Sequence, residues 1–320
     1  MFEIDDKGIR ISGTELYVDA KKKVELSFIS HAHSDHVKRH KQIIATPATL
    51  NLVKLRNRKV KGIPLAYHQK YDINDVTIEL YPSGHILGAA QILIERDGTR
   101  LVYTGDFKPA ESLTADPLEV KQADILIMES TFGAPQFVFP KRWQIIERLV
   151  KFIDRCFQSG IVPVVMGYAV GKAQEALKLL GELDYQISIH PSIEPVVKVY
   201  EQHGIEFKNY QTYQGEDLKD RVLLIPPHLA NSSLVNKIWQ TKKLILTGWA
   251  VLPEAKHRYR ADEVLALSDH ADFRQLLDYV HEVQPEMVFI THGIDSFVYY
   301  LRREGFKAEL LEETPQLSLF

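Results

Sequence analysis

A single cysteine, Cys156, serves the whole chain of 320 residues, which excludes an internal disulfide and any thiolate-rich metal site. Any metal must therefore be held by histidine and carboxylate. No apolar run is long enough to span a bilayer; the most apolar, Ile161 to Val170, is far too short. The amino terminus, Met1-Phe2-Glu3-Ile4-Asp5-Asp6, has no basic stretch leading into an apolar segment. The expectation is a soluble, cytoplasmic chain with no membrane partner. Basic charge is not in excess, since 39 Lys and Arg face 42 Asp and Glu for a net −3. That balance argues against a protein that coats itself in nucleic acid by overall charge. Internal repeats and low-complexity segments are also lacking.

What is present is an ordinary globular composition, 45% hydrophobic, with enough chain for one large domain or a domain carrying an insertion. Several short apolar runs end abruptly in polar residues of catalytic type, the pattern of buried strands with a site at their carboxyl ends. Val24 to Ile29 runs into Ser30-His31-Ala32-His33-Ser34-Asp35-His36. Val76 to Tyr81 meets Ser83-Gly84-His85, and Leu101 to Tyr103 meets Thr104-Gly105-Asp106. Ile125 to Met128 meets Glu129, Val264 to Leu267 meets Ser268-Asp269-His270, and Met287 to Ile290 meets Thr291-His292-Gly293.

Between the fourth and fifth runs the texture changes to alternating strand and amphipathic helix, as expected of an inserted α/β unit with a parallel sheet. Helices are expected over Trp143–Phe157, Gly171–Leu183 and Ile193–His203. Strands are expected over Ile161–Met166, Gln186–Ile189, Arg221–Ile225 and Lys243–Thr247. A basic cluster, Lys54, Arg56, Arg58, Lys59 and Lys61, reads either as a phosphate path or as a solvated helix face.

His31, His33, Asp35 and His36 crowd into six positions just after a strand, where the backbone is free to turn several side chains toward one point. Imidazole and carboxylate suit zinc, manganese or iron in an open, water-accessible centre. A histidine-rich surface loop without metal is the plain alternative; His85, Asp106 and His292 at three further strand ends weigh against it.

The set His31-Ala32-His33-Ser34-Asp35-His36, His85, Asp106 and His292 resembles the motif set of the metallo-β-lactamase superfamily. The resemblance implies an αββα sandwich and two divalent ions, zinc or manganese. By it, His31, His33 and His85 hold one ion, Asp35, His36 and His292 hold the other, and Asp106 bridges both. Asp19 matches the first acidic motif, with the implied role of orienting ligands rather than coordinating. Two such ions clamp the attacking and leaving oxygens of an in-line displacement.

The superfamily also contains thioesterases and lactonases. The insertion falls where the β-CASP group of nucleases carries its extra domain, and Met128-Glu129-Ser130-Thr131 resembles the acidic motif that opens it. Ser268-Asp269-His270-Ala271-Asp272 resembles the histidine motif that follows it, and His292-Gly293 the closing one. The implied layout is a first part of the metallo-β-lactamase domain over 1–133, a β-CASP-like domain over 134–255, a second part over 256–311 and a tail over 312–320. By carry-over, His270 protonates the leaving oxygen and Glu129 orients its ring, with Asp35 and Asp106 completing the catalytic set.

Within the group, the chain is most similar to bacterial exonucleases associated with DNA ligases, which implies DNA as substrate, end processing in repair and a functional link to a ligase. RNA-processing members keep the closing histidine that DNA-directed members usually lack, so His292 leaves RNA open. Gly171 and Lys172, where a buried strand turns into a helix, are candidate phosphate donors, and Trp249 a candidate base-stacking residue. The tail Gln316-Leu317-Ser318-Leu319-Phe320 resembles the pentapeptide by which bacterial proteins dock on the β sliding clamp. A final edge strand is the alternative.

Overall fold

The computed structural model describes residues 1–311, so the tail segment Gln316–Phe320 lies outside the described residues. The chain divides into two compact units. The first comprises 1–111, 115–134 and, of the described residues, 270–311; the second comprises 112–114 and 135–269.

The first unit contains two sheets. One orders its strands as Phe2–Asp5, Gly8–Ile11, Leu16–Val18, Leu26–Phe28, Gln42–Ala45 and Gly62–Pro64. The other runs Ala308–Leu310, Met287–Gly293, Ile125–Ser130, Thr99–Tyr103, Ala90–Arg96, Val76–Pro82 and Lys70–Ile73. Its central strands, Ala90–Arg96, Thr99–Tyr103 and Ile125–Ser130, are buried on both faces over most of their length, which is why they read as continuous apolar runs. Alternation sorts their side chains. Ile92, Ile94, Leu101, Tyr103 and Ile127 meet Ile11, Leu16, Phe28 and Ile44 of the first sheet. Leu93, Val102, Leu126 and Met128 turn the other way, onto Leu276, Val280 and Leu301 of the helices Phe273–Val283 and Phe297–Arg303.

A third helix, Pro47–Arg56, packs beside Gly62–Pro64, its amino end capped by the Thr46 side chain. Leu50 comes so close to Gly62 that a Cβ there would collide with it. Two sheets face to face with helices outside make the αββα sandwich of the metallo-β-lactamase fold.

The second unit is built on six parallel strands in the order Tyr210–Thr212, Gln186–Ile189, Arg221–Ile225, Val162–Met166, Thr241–Leu246 and Glu263–Leu265. The helices Arg142–Gln158, Lys172–Glu182 and Glu194–Gln202 supply Leu149, Ile153, Leu177, Leu180 and Val197 to its core. This is the inserted α/β β-CASP-like domain. Its observed extent differs from the expected 134–255. Residues 256–269 belong to it because Glu263–Leu265 pairs in parallel with Thr241–Leu246. The segment 112–114 joins it because Ser112 Oγ, the Leu113 N–H and Thr114 Oγ1 all donate to the Glu175 carboxylate, at 2.9, 3.0 and 3.1 Å. Among the described residues no helix is long and apolar enough to cross a membrane.

Candidate metal centre

The strands Leu26–Phe28, Val76–Pro82, Thr99–Tyr103 and Met287–Gly293 end at one place. Sharp turns after two of them depend on glycine. Gly84 has φ +77°, and a Cβ there would sit 2.0 Å from the Lys108 carbonyl oxygen; Gly105 has φ +54°, and its Cβ would meet Ser30 at 2.4 Å. These close approaches bring His85 and Asp106 in beside the loop that carries His31, His33 and His36.

One donor atom each of His31, His33, His85 and Asp106 lies within 4.8 Å of the others, and the same holds for His36, Asp106 and His292. Asp106 is common to both groups and only 4% exposed. His36 Nε2 and His292 Nε2 stand 3.5 and 3.1 Å from its Oδ1, while His31 Nε2 and His85 Nε2 stand 3.4 and 3.7 Å from its Oδ2. His85 Nε2 is 3.1 Å from His33 Nδ1.

The far nitrogens of three rings are held from behind. Ser30 Oγ donates to Asp19 Oδ2, so it accepts from His31 Nδ1 at 2.9 Å. The consequence is a lone pair on His31 Nε2, a buried atom with no hydrogen bond. Thr291 Oγ1 donates to the Met128 carbonyl and accepts from His292 Nδ1 at 2.8 Å. His36 Nδ1 donates to Asp19 Oδ2 at 2.8 Å. Asp19 itself, held at φ +41°, also accepts from the Ser30 N–H and from the Tyr103 hydroxyl.

The electrostatics follow from this crowding. Burial, with the charge of His36 adding to it, holds His31 well below the usual imidazole range. For His36 burial acts the same way but is outweighed by the Asp106 and Asp19 carboxylates, which push it up to about 10. Burial opposes ionisation of Asp106, yet His36, His270 and His31 keep it anionic well below the usual carboxylate range. An anion shared between two nests of imidazoles, with one buried lone pair unmatched, fits a pair of divalent cations.

Asp35 departs from the expectation. Its side chain is 79% exposed and reaches no closer than 3.9 Å to His36 Nε2, so it stands outside both groups. A second carboxylate beside Asp106 is repelled unless cations intervene.

Glu129 and His270 lie together beside the centre. His270 Nδ1 is 2.9 Å from Glu129 Oε1, and its Nε2 faces Asp106 Oδ2 at 3.9 Å. Glu129 also accepts from the N–H groups of Phe107 and Thr131. Burial and the Asp106 carboxylate disfavour its charge, but the neighbouring His270, with His292 adding to it, holds its carboxyl below the usual range. The carboxylate thus accepts the hydrogen bond of Nδ1–H and leaves Nε2 toward the centre.

The residues expected to meet nucleic acid in the second unit are occupied otherwise. Lys172, by sequence a candidate to bind phosphate, is buried, and its ammonium donates to the Leu267 carbonyl and to Asp269 Oδ1 at 2.5 Å. The Gly171 N–H donates to Gln174 Oε1 at 2.8 Å, closing the helix start with the helix's own side chain. Trp249 is half-buried and packs edge-on against Phe137 with ring centres 5.4 Å apart. In the basic cluster of the first unit, Arg56 donates to the Ala32 carbonyl in the histidine loop, while Lys54, Arg58, Lys59 and Lys61 are exposed.

Ser30, Thr291 and Tyr103 were not anticipated. The first two had a readable signal, a hydroxyl residue immediately before a candidate ligand histidine. Tyr103 had none beyond its place at a strand end.

The fold and this centre define a metal-dependent hydrolase class, and comparison with known proteins gives the family. The model of the Zn-dependent metallo-hydrolase RNA specificity domain matches residues 255–309. A protein named "Probable DNA ligase" from Opitutus terrae is 36% identical over 308 residues, covering 95% of this chain and 30% of that protein. An "RNase J-like protein" from Methanocaldococcus jannaschii is 30% identical over 184 residues, 50% of this chain and 44% of that one. "Cleavage and polyadenylation specificity factor subunit 3" from Dictyostelium discoideum is 27% identical over 298 residues, 74% and 38%. The chain belongs to the metallo-β-lactamase superfamily, in its β-CASP group. It spans less than half the length of each of these relatives.

Proposed function

We propose that the protein is a two-metal nuclease that hydrolyses phosphodiester bonds, acting on DNA ends in repair. The observation that carries the reading is the Glu129–His270 pair beside the histidine and aspartate groups. Bound there, two divalent cations, zinc or manganese, supply positive charge to the oxygens of a phosphodiester and acidify water. His31, His33 and His85 with Asp106 would hold one, and His36 and His292 with Asp106 the other, Asp35 swinging in to complete it. His270, its Nδ1 proton held by Glu129, keeps Nε2 at the centre, where it delivers a proton to the departing oxygen. A thioester would make less use of this pair, because its thiolate leaves far more readily without a proton than the sugar alkoxide of a phosphodiester does.

DNA is favoured by the likeness to the ligase-named protein over nearly the whole chain, which also supports a functional link to strand joining. A second reading, RNA processing, is favoured by His292 and by relatives named for RNA cleavage or polyadenylation, such as the endoribonuclease-named protein of Yarrowia lipolytica. The test is cleavage of end-labelled, sequence-matched single- and double-stranded DNA and RNA by protein loaded with zinc or manganese. Shortening of DNA from an end is expected. Cleavage of RNA alone would move the assignment to the second reading, and turnover of small esters with neither nucleic acid cut would overturn both. Docking on the β sliding clamp through Gln316–Phe320 is part of the same proposal. Deleting those five residues should lower clamp affinity and leave cleavage of free DNA unchanged.

A further inference from the structure

Within the first unit a cavity of about 300 Å³ adjoins the centre, bounded on one side by His36 and His292. Its walls are different in kind from the centre. Ile4, Ile9, Val18 and Leu311 line it with aliphatic surface. Tyr103 adds an aromatic ring whose hydroxyl is already engaged with Asp19. Lys21 contributes an ammonium and Asp35 an exposed carboxylate.

We infer that this cavity is the subsite for one nucleoside of the bound strand, the one attached to the phosphate that lies at the centre. The inference rests on the nuclease reading above and deepens it. Size is the first argument: the cavity is at the lower end of the range for small-molecule sites, about 300–1,000 Å³. That suits a single base with its sugar and not a run of nucleotides. Chemistry is the second. Aliphatic and aromatic walls take the faces of a planar base without regard to its identity. Besides the two histidines and Tyr103 the polar lining is Asp19, Lys21, Asp35 and Thr291; Asp19 and Thr291 already hold ligand rings and Asp35 is assigned to the second cation, which leaves too little to read sequence. Position is the third, because a base lodged here leaves its own phosphate beside His36 and His292. A site that takes one nucleoside of any sequence next to the reacting phosphate selects strand ends.

The experiment is calorimetric binding to the metal-loaded protein of three probes: inorganic phosphate, thymidine 5′-monophosphate and thymidine 3′-monophosphate. One of the two nucleotides should bind at least tenfold more tightly than phosphate, and which one does reports strand polarity. Ile4→Trp, which fills the cavity from a partly exposed position, should abolish that advantage while phosphate affinity stays within about twofold. Leu311→Trp, also partly exposed, fills it from another side and serves if the first variant misfolds. Equal affinity for phosphate and both nucleotides in the unaltered protein, or an advantage that survives both substitutions, would overturn the inference and leave the nuclease reading standing. If phosphate itself fails to bind, the centre does not receive phosphate and both fall.

Discussion

At the residue scale, the centre is organised by the atoms behind the ligands. Ser30 has one hydroxyl proton and gives it to Asp19, which obliges it to accept from His31 and fixes that ring's free nitrogen toward Asp106. Replacing Ser30 with alanine removes the acceptor without touching the ligand. Metal affinity should fall roughly 10- to 100-fold, measured by competition with a chromogenic chelator; an unchanged affinity would show that packing alone holds the ring. The Glu129–His270 pair makes a different demand. His270→Ala should lower cleavage by roughly 10²- to 10⁴-fold while the protein keeps its full metal content. Glu129→Gln should produce much of the same loss, and the double variant little more, because the carboxylate acts through the ring. If the two losses multiplied, the residues would be acting separately.

At the element scale, the sequence was most legible where strands are buried on both faces and bounded by polar turns. Gln186–Ile189 and Arg221–Ile225 lie where the pattern places them, and the helix Arg142–Gln158 exceeds its expected span by one residue at each end. The short pair Phe2–Asp5 and Gly8–Ile11 is not legible in the sequence, since the first is part-exposed without alternation and the second, though mostly buried, has only four residues. The insertion boundary was misjudged because Glu263–Leu265 looks the same whichever sheet it joins; only pairing decides. The donor set was readable because ligand identity is local in sequence. Whether Lys172 faces solvent or Asp269 was not, because the partner lies 97 residues away.

Glu216 accepts from the Gln214 N–H, Gln211 Nε2 and Ser188 Oγ, tying a loop to the strands Tyr210–Thr212 and Gln186–Ile189. Partial burial disfavours its charge, but these donors outweigh that and hold its carboxyl down to about 2, against an ordinary 4.5. A depressed carboxylate contributes stability that is fully present above the ordinary value and is lost as the pH falls through the depressed one. Glu216→Gln should therefore cost stability at pH 7 and progressively less between pH 4.5 and 2, read from denaturant midpoints across that range. A difference that does not shrink with acid would mean the charge is not what the loop uses.

At the scale of the whole molecule, all the donors of the centre come from the first unit, though they are spread from His31 to His292 along the chain. Cations that bind only the folded arrangement add their binding energy to that unit's stability, about 2.7 kcal/mol for each site at a free concentration 100 times its Kd. The second unit has its own sheet and its own apolar cores, so it gains nothing directly from the metal. Hydrogen exchange followed with and without zinc should therefore show added protection in Leu26–Phe28, Thr99–Tyr103 and Met287–Gly293. The strand Val162–Met166 should exchange as before. Equal protection of both sheets would mean that the units unfold as one. In that case an inserted domain that supplies no ligand would still govern how tightly the metal is held.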